Sequence, residues 1–510
     1  MESPLLKPMK IGLSVRLVDT ILLLLFTLLG FVVMGYHPGL EDDGVYLSAV
    51  KFNLQPSLYP HDSEFFRLQL QASIFDQWMA GFVRFTRIPV AWAELFWQFL
   101  SLYIILRAAH SIAQKLFSER RAQWAGVALL SAMFTLPVAG TAINIADQHL
   151  HPRNMATAVI LIAVDRILGR RAWQAVPLLF LALVLHPIMA AFGISFCIFI
   201  GVSQSGSLKR WFARRSSHEQ SSFISVAATA PLGWIFEPPT PSWRRALESR
   251  TYYFLDQWTW YEWLGAIAPI ALFGLLWRYA LRRGENALAR TAFALLLYAI
   301  FQQSVAILLL SPAGLVRITP LQPMRYLHLV YLFMGLIGGC LLGRHILGRS
   351  IWRWAVFVIV VNGGMFAAQR TMFDNTEHLE LPGQSSKNQW LQAFTWIRAN
   401  TPRDAYFALD PNYLAAPGEN YHSFRALAER SQLADALKDA AVVTQVPGLA
   451  PEWVAQVDAQ AGWSQFHLSD FERLKARFGV DWAVVSYPQP EGLTCRWHND
   501  CLAVCQIPQR

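Results

Sequence analysis

The chain has 510 residues, of which 54% are hydrophobic and only 15% charged, against roughly a quarter charged in an ordinary soluble domain. That composition belongs to a bilayer and excludes an ordinary soluble enzyme. The formal charge of +9 comes with no nucleic-acid motif, so the basic residues are assigned to membrane topology and to anionic lipid head groups.

Apolar stretches near the ~20 residues a helix needs to cross the hydrocarbon core recur from Leu17 to Ala368. The first, LVDTILLLLFTLLGFVVMGY, follows Lys7, Lys10 and Arg16 but lacks a small-residue cleavage site, so a retained span is expected and not a signal peptide. Spans are expected at about 17–36, 89–107, 123–140, 155–168, 173–187, 188–204, 221–236, 264–280, 289–311, 326–343 and 351–368, about eleven in all. The stretch VPLLFLALVLHPIMAAFGISFCIFIGV leaves open one long helix or two short ones broken at His186-Pro187.

With the N-terminus inside, the inner loops carry Lys115, Arg120 and Arg121, then Arg166, Arg170 and Arg171, then Lys209, Arg210, Arg214 and Arg215, then Arg278, Arg282 and Arg283, and finally Arg344, Arg349 and Arg353. This obeys the rule that positive loops stay cytoplasmic. It predicts a multi-pass inner-membrane protein with a cytoplasmic N-terminus, a membrane domain over 1–370 and a soluble periplasmic α/β domain over 371–510. The outer face then receives the loop 37–88, the segment NIADQHLHPRN, residues 237–263, residues 311–325 and the C-terminal region.

The loop 37–88 opens on three adjacent carboxylates, Glu41, Asp42 and Asp43. Crowding them at a membrane exit is costly unless a cation, a substrate or a shared proton relieves the repulsion. Asp42 and Asp43 are therefore the candidate catalytic residues. One could serve as general base toward an acceptor hydroxyl or amine, or the two could hold a divalent metal, Mg2+ or Mn2+. The plain alternative is a solvated turn ended by Gly44. The following stretch, with Asp62 and Ser63 as N-caps, repeats apolar residues at roughly 3.6 and predicts an amphipathic helix on the outer leaflet. Glu41, His61 and Asp62 are the further substrate-binding candidates of this loop.

An anionic ligand at the interface would need cations, and arginine's planar fork suits phosphate. Arg153, Arg244, Arg245 and Arg325 occupy outer segments, which the topology rule expects to be poor in arginine. In DQHLHPRN, Asp147, His149, His151 and Arg153 crowd together before the fourth span. Metal binding, hydrogen bonding to phosphate or sugar, and plain interfacial structure all fit them. The segment YYFLDQWTWYEW has the composition of an aromatic belt, and of a wall on which sugar or isoprenoid could stack.

After about Thr371 the hydropathy falls. NQWLQAFTWIRANTP, SQLADALKDAA and LSDFERLKARFG read as helices, and DAYFALD, VDWAVVSYP and LAVCQI as strands, an alternation that predicts α/β. Cys197 and Cys340 fall in spans. In an oxidising compartment Cys495 and Cys501 are expected to close the CRWHNDC hairpin, leaving Cys505 over.

The basic start and first span, the outer-loop acids EDD, the interfacial helix, the span count and the outer α/β domain together resemble the GT-C membrane glycosyltransferases, which include protein mannosyltransferases, aminoarabinose transferases and oligosaccharyltransferases. The resemblance implies a polyprenyl-phosphate-linked sugar donor, a lipid, glycan or protein acceptor, and a first-loop carboxylate, Asp42 or Asp43, that deprotonates or positions that acceptor. A WWD-type sequence is missing, which argues against peptide N-glycosylation. The rival classes are a lipid or glycan flippase, which would place its charges at mid-membrane, and a non-catalytic assembly protein, in which the acidic pair would be dispensable.

Overall fold

The computed structural model describes residues 9–205, 233–415 and 422–508. Among them, seven helices are long and apolar enough to cross a membrane, and with the composition they make this a multi-pass membrane protein. The first lies in α1 (Met9–Met34), the next two are α5 (Val90–Leu116) and α9 (Pro187–Ser205), and Trp260–Arg282, Asn286–Leu310, the run Gly314–Leu347 and Ile351–Met372 follow. The shorter helices α6 (Arg120–Ala132), α7 (Pro152–Leu168) and α8 (Ala175–Leu185) join the bundle. Most of the expected span 221–236 lies outside the described residues.

Two departures from the expected spans have local causes. Helix α6 stops at Ala132, short of the expected 140, because the chain turns into a hairpin of β1 (Pro137–Val138) and β2 (Ile143–Asn144). Pro137 cannot continue a helix, and Gly140 takes φ +60 inside the turn. The stretch around His186-Pro187 is two helices and not one. His186 is extended (φ −153, ψ 92), as the residue before a proline is biased to be, and α9 runs parallel to α7 with Gly193 against Ile160 and Gly201 toward Ile167.

Small residues set the tightest helix contact. A Cβ on Gly126 of α6 would stand 2.6 Å from Cys340 Sγ, and one on Gly339 would stand 2.7 Å from the Ala125 carbonyl oxygen, so glycine lets these backbones approach as apolar side chains alone cannot. The helix Leu327–Leu342 is correspondingly buried along most of its length. By contrast Ile351–Met372 exposes Ile351, Trp352, Ile359 and Val360, the surface a helix offers to lipid. At one end of the bundle Arg344 bonds Glu285 (2.7 Å) and Glu119 (2.7 Å), and Arg120 bonds Asp19 (2.5 Å).

The loop 37–88 and the C-terminal region meet at the other end. The expected amphipathic helix is two helices, α3 (Glu64–Leu70) and α4 (Phe75–Thr86). Between them Ser73 Oγ donates to the Leu185 carbonyl (2.8 Å) and the Ile74 amide to that of Val184 (2.9 Å), docking the loop on the end of α8. Phe65, Phe66, Phe75 and Met79 are buried as the apolar repeat requires, while Phe85 is exposed. The acidic cluster is not a turn ended by Gly44, because α2 (Asp43–Leu54) begins there. Gly44 is needed for a close approach: a Cβ on it would stand 2.5 Å from Ser423 Cβ of the C-terminal region.

That region is α/β as expected. Its sheet runs in the order β4-β3-β5-β7-β6, comprising β3 (Tyr406–Ala408), β4 (Ser431–Gln432), β5 (Trp482–Ser486), β6 (Thr494–His498) and β7 (Leu502–Gln506). β3 pairs in parallel with β4 and β5, and β7 pairs antiparallel with β5 and β6. Alternation along β5 sends Trp482 and Val484 to a core with Phe394 and Phe424, and Ala483 and Val485 to one with Phe471 and Leu474. SQLADALKDAA is a helix only from Lys438, in Lys438–Gln445, since Ser431 and Gln432 form β4.

Buried polar contacts fasten this region to the loop. Arg425 donates to Asp62 and to both oxygens of Asp439 (2.7 and 3.0 Å), Lys51 Nζ reaches Glu429 (2.7 Å), and His61 stacks on Tyr406 at 4.6 Å. His61 and Asp62, expected at a substrate site, are thus engaged in holding the C-terminal region.

The expected Cys495–Cys501 bond is replaced by Cys495–Cys505. The strand register sets Cys495 directly opposite Cys505, while Cys501 falls just past the hairpin turn and is a free, exposed thiol. Alkylation without reduction followed by peptide mapping is expected to modify Cys501 and to release Cys495 and Cys505 only after reduction. A Cys495–Cys501 peptide would contradict the register.

Candidate active site

Asp42 and Asp43 are neighbours in sequence that point to different places. Asp42 occupies the N-cap position of α2 but makes none of the usual side-chain bonds to the first-turn amides, so its carboxylate is left for other partners. It borders a cavity of about 230 Å³ together with Tyr46, His151, His186, Tyr252, Tyr253, Gln322, Arg325 and Lys438. Its side chain is 38% exposed, and Lys438 Nζ lies 3.3 Å from it. Asp43 is buried, accepts the Gly39 amide at 2.6 Å and hydrogen-bonds Glu94.

The second wall is the start of α7. Gln98 Nε2 donates to the Asp147 carbonyl (2.7 Å) and the Asp147 amide to Asn154 Oδ1 (3.1 Å), so the backbone here is pinned from two helices. Arg153 grips the Asp147 carboxylate through Nε (3.1 Å) and Nη2 (2.5 Å). Its amide donates to His151 Nδ1 at 2.9 Å. In the neutral ring that bond places the proton on Nε2, and Nε2 stands 3.8 Å from Asp42 Oδ2.

Burial alone would raise the Asp42 carboxyl, but Lys438 and then His151 hold it well below the ordinary carboxylate range. Burial wins at Asp43, which is raised despite His149 and the Gly39 amide. Burial, reinforced by Arg153, drives His151 down to about 4. For Lys438 burial works downward, yet Asp42 and Glu41 leave it raised. At neutral pH the cavity therefore offers an ionised carboxylate, a neutral imidazole, an ammonium and the Arg325 guanidinium, whose buried Nε has no hydrogen-bond partner.

Of the expected site residues, Asp42, His151 and Arg325 line the cavity, and Arg153 stands behind His151. Glu41 is on its rim, 3.6 Å from Lys438. His149 is buried beside Asp43, with neither ring nitrogen hydrogen-bonded. Arg244 faces Glu248 on the surface, and Arg245 bonds Asp458 (2.6 Å) over the Trp453 ring, so neither borders the cavity. The aromatic segment divides: Tyr252 and Tyr253 are cavity wall, and Trp260 and Tyr261 are exposed as a belt would be. Lys438, Gln322 and Glu94 carried no signal in the sequence. Lys438 in particular sits in a stretch that reads as a solvated helix, and only the fold brings it to Asp42. Asp42 and Asp43, facing apart, do not form a shared metal site. Three potential ligands, His37, Glu380 and His422, do gather away from the cavity.

No protein-family model matches the chain, and no curated protein matches it. Among solved structures it is similar to the Archaeoglobus fulgidus oligosaccharyltransferase in complex with Zn and sulfate, at 12% sequence identity and a TM-score of 0.42, over 91% of this chain and 68% of that one. A likeness of that extent carries no argument about chemistry, which rests on the cavity.

The opposite displacements of the two aspartates are open to test. A hydrophobic carbodiimide adds to protonated carboxyls. As pH is lowered from 7, Asp43 is expected to be labelled first, because a raised carboxyl protonates earlier and a lowered one later. Lys438→Met, which removes the main charge holding Asp42 down, is expected to move the onset of Asp42 labelling to higher pH. Labelling of Asp42 before Asp43 in the unaltered protein would contradict these electrostatics.

Proposed function

We propose that the protein is a membrane glycosyltransferase of GT-C type, moving a sugar from a polyprenyl-phosphate-linked donor to an acceptor at the outer face of the inner membrane. The observation that carries the proposal is that Asp42 is the one carboxylate among the described residues lining the cavity, which it shares with Arg325 and Lys438. A base and two phosphate-binding cations thus face one space. Leu185, Ile188 and Leu321 on its wall suit the first isoprene units, and Tyr252 and Tyr253 offer flat faces to a sugar.

In the proposed step the acceptor oxygen or nitrogen attacks the anomeric carbon, the bond from that carbon to the phosphate oxygen breaks, and the acceptor proton passes to Asp42. The lipid phosphate leaves with the bonding pair, its charge met by Arg325 and Lys438. These cations occupy the place where Mg2+ or Mn2+ would otherwise neutralise phosphate, so the proposal needs no metal on Asp42. His151 faces Asp42 across 3.8 Å as a neutral imidazole and adds no positive charge beside the base. A flippase is less well served by charges gathered at the end of the bundle than by charges at mid-membrane.

The orientation follows from the basic loops at the far end. It is reported by Cys501, which a membrane-impermeant maleimide is expected to modify in intact cells. Modification only after permeabilisation would reverse the orientation.

The deciding test uses Asp42→Asn and Asp43→Asn in a deletion strain, with surface glycans and lipid-linked sugars analysed after metabolic labelling. Asp42→Asn keeps size but not proton acceptance and is expected to lower transfer by ~10²–10⁴-fold at unchanged protein level. Asp43→Asn, away from the cavity, is expected to cost less than ~10-fold. Normal transfer by Asp42→Asn would end the catalytic assignment.

A further inference from the structure

Where the chain leaves α1 it is pinned twice by isolated bridges, Tyr36 parallel to Leu379 and Leu40 antiparallel to His422. Between these bridges three side chains from distant segments converge. His37 Nδ1 lies 2.8 Å from Glu380 Oε1, and His422 Nε2 lies 2.9 Å from Glu380 Oε2. The three side chains are 0%, 9% and 2% exposed, and their candidate ligand atoms all fall within 4.8 Å of one another. Phe373 stacks on His37 at 4.4 Å, and Thr376 Oγ1 donates to Glu380 Oε1 at 2.8 Å. On the far side of each ring, His37 Nε2 and His422 Nδ1 are buried without a hydrogen-bond partner.

Two imidazole nitrogens and a carboxylate oxygen form a mixed N/O donor set. Mg2+ and Ca2+ take all-oxygen shells, whereas imidazole with carboxylate suits Zn2+ and its first-row neighbours. One flanking group resembles the outer partners of such centres, the Thr376 hydroxyl that hydrogen-bonds the carboxylate, while Phe373 packs on the face of one imidazole. The unpartnered far nitrogens leave neither ring's tautomer locked from behind. Each neutral ring can therefore move its proton outward and present a lone pair to an ion.

We propose that His37, Glu380 and His422 bind one divalent transition-metal ion, Zn2+ by donor type, which fastens the first loop, the segment after the last membrane helix and the C-terminal region to one another. The site is separate from the cavity of Asp42, and the proposal does not rest on the transferase assignment. Because the ligands come from three segments that meet only in the folded chain, metal binding adds directly to docking stability.

The test uses the full-length protein in detergent, stripped with a chelator, exposed to ZnCl2 and dialysed. About one zinc per chain is expected, with an upward shift of the melting midpoint. X-ray absorption should show N/O ligation with imidazole scattering. Glu380→Gln and His422→Gln are each expected to weaken zinc binding by more than the ~10–100-fold that losing an outer partner costs. His110→Asn, which removes a buried histidine beside Asp19 and Arg120 at the opposite end of the bundle, should leave zinc content unchanged. Absence of stoichiometric zinc, equal zinc in the Glu380 or His422 variants, or an absorption spectrum without imidazole would overturn the proposal, and the spectrum of the unaltered protein decides the matter should the variants fail to fold.

Discussion

An ionised carboxylate at the end of an apolar helix bundle needs a cation, and the cation for Asp42 comes from 396 residues further along the chain. Lys438 stands 3.3 Å from it. Everything at the cavity depends on that pairing. It keeps Asp42 charged, brings an ammonium into the cavity that Arg325 also lines, and ties the cavity to docking of the C-terminal region. The docking contacts read as supports for it: Arg425 buried between Asp62 and Asp439, Lys51 on Glu429, and Gly44 bare of a side chain so that Ser423 can sit against it. Removing one member of such a buried ion cluster typically costs about 3–5 kcal/mol, since the partners are left uncompensated.

The same geometry separates two aspartates that look equivalent on paper. Successive residues entering a helix are rotated by about 100°, so Asp42 at the cap and Asp43 at the first helical position cannot face one target. Asp43 turns inward to the Gly39 amide and Glu94 and shapes the loop. Asp42 turns to the cavity, unspent on its own helix. One is left facing the cavity, and the other is engaged with the turn that precedes the helix.

Much of the architecture was legible from hydropathy. Most of the expected spans have helices, the segments expected on one face do meet at one end of the bundle, and helix–strand alternation foretold the C-terminal sheet. Departures came where local backbone chemistry overrode apolar character. Pro137 and Gly140 end α6 early and make a hairpin of residues that hydropathy placed in a span. Site residues divided in the same way. Asp42, His151 and Arg325 were found because charge or histidine is conspicuous beside a membrane. Lys438 was not, because a lysine on a charged helix looks solvated until a partner 396 residues distant is known. Arg244 and Arg245 were overvalued for the converse reason: their exposure on a surface helix leaves no trace in the sequence. The cysteine pairing failed on register, which spacing alone does not determine.

The central claim is that the cavity beside Asp42 seats a lipid phosphate on Arg325 and Lys438. A cryo-EM structure of the full chain with a polyprenyl phosphate bound tests it most directly. The phosphate is predicted within ~3 Å of both cationic side chains, on the Asp42 side of Tyr252. A phosphate seated elsewhere, such as against Arg244 and Arg245, would contradict it.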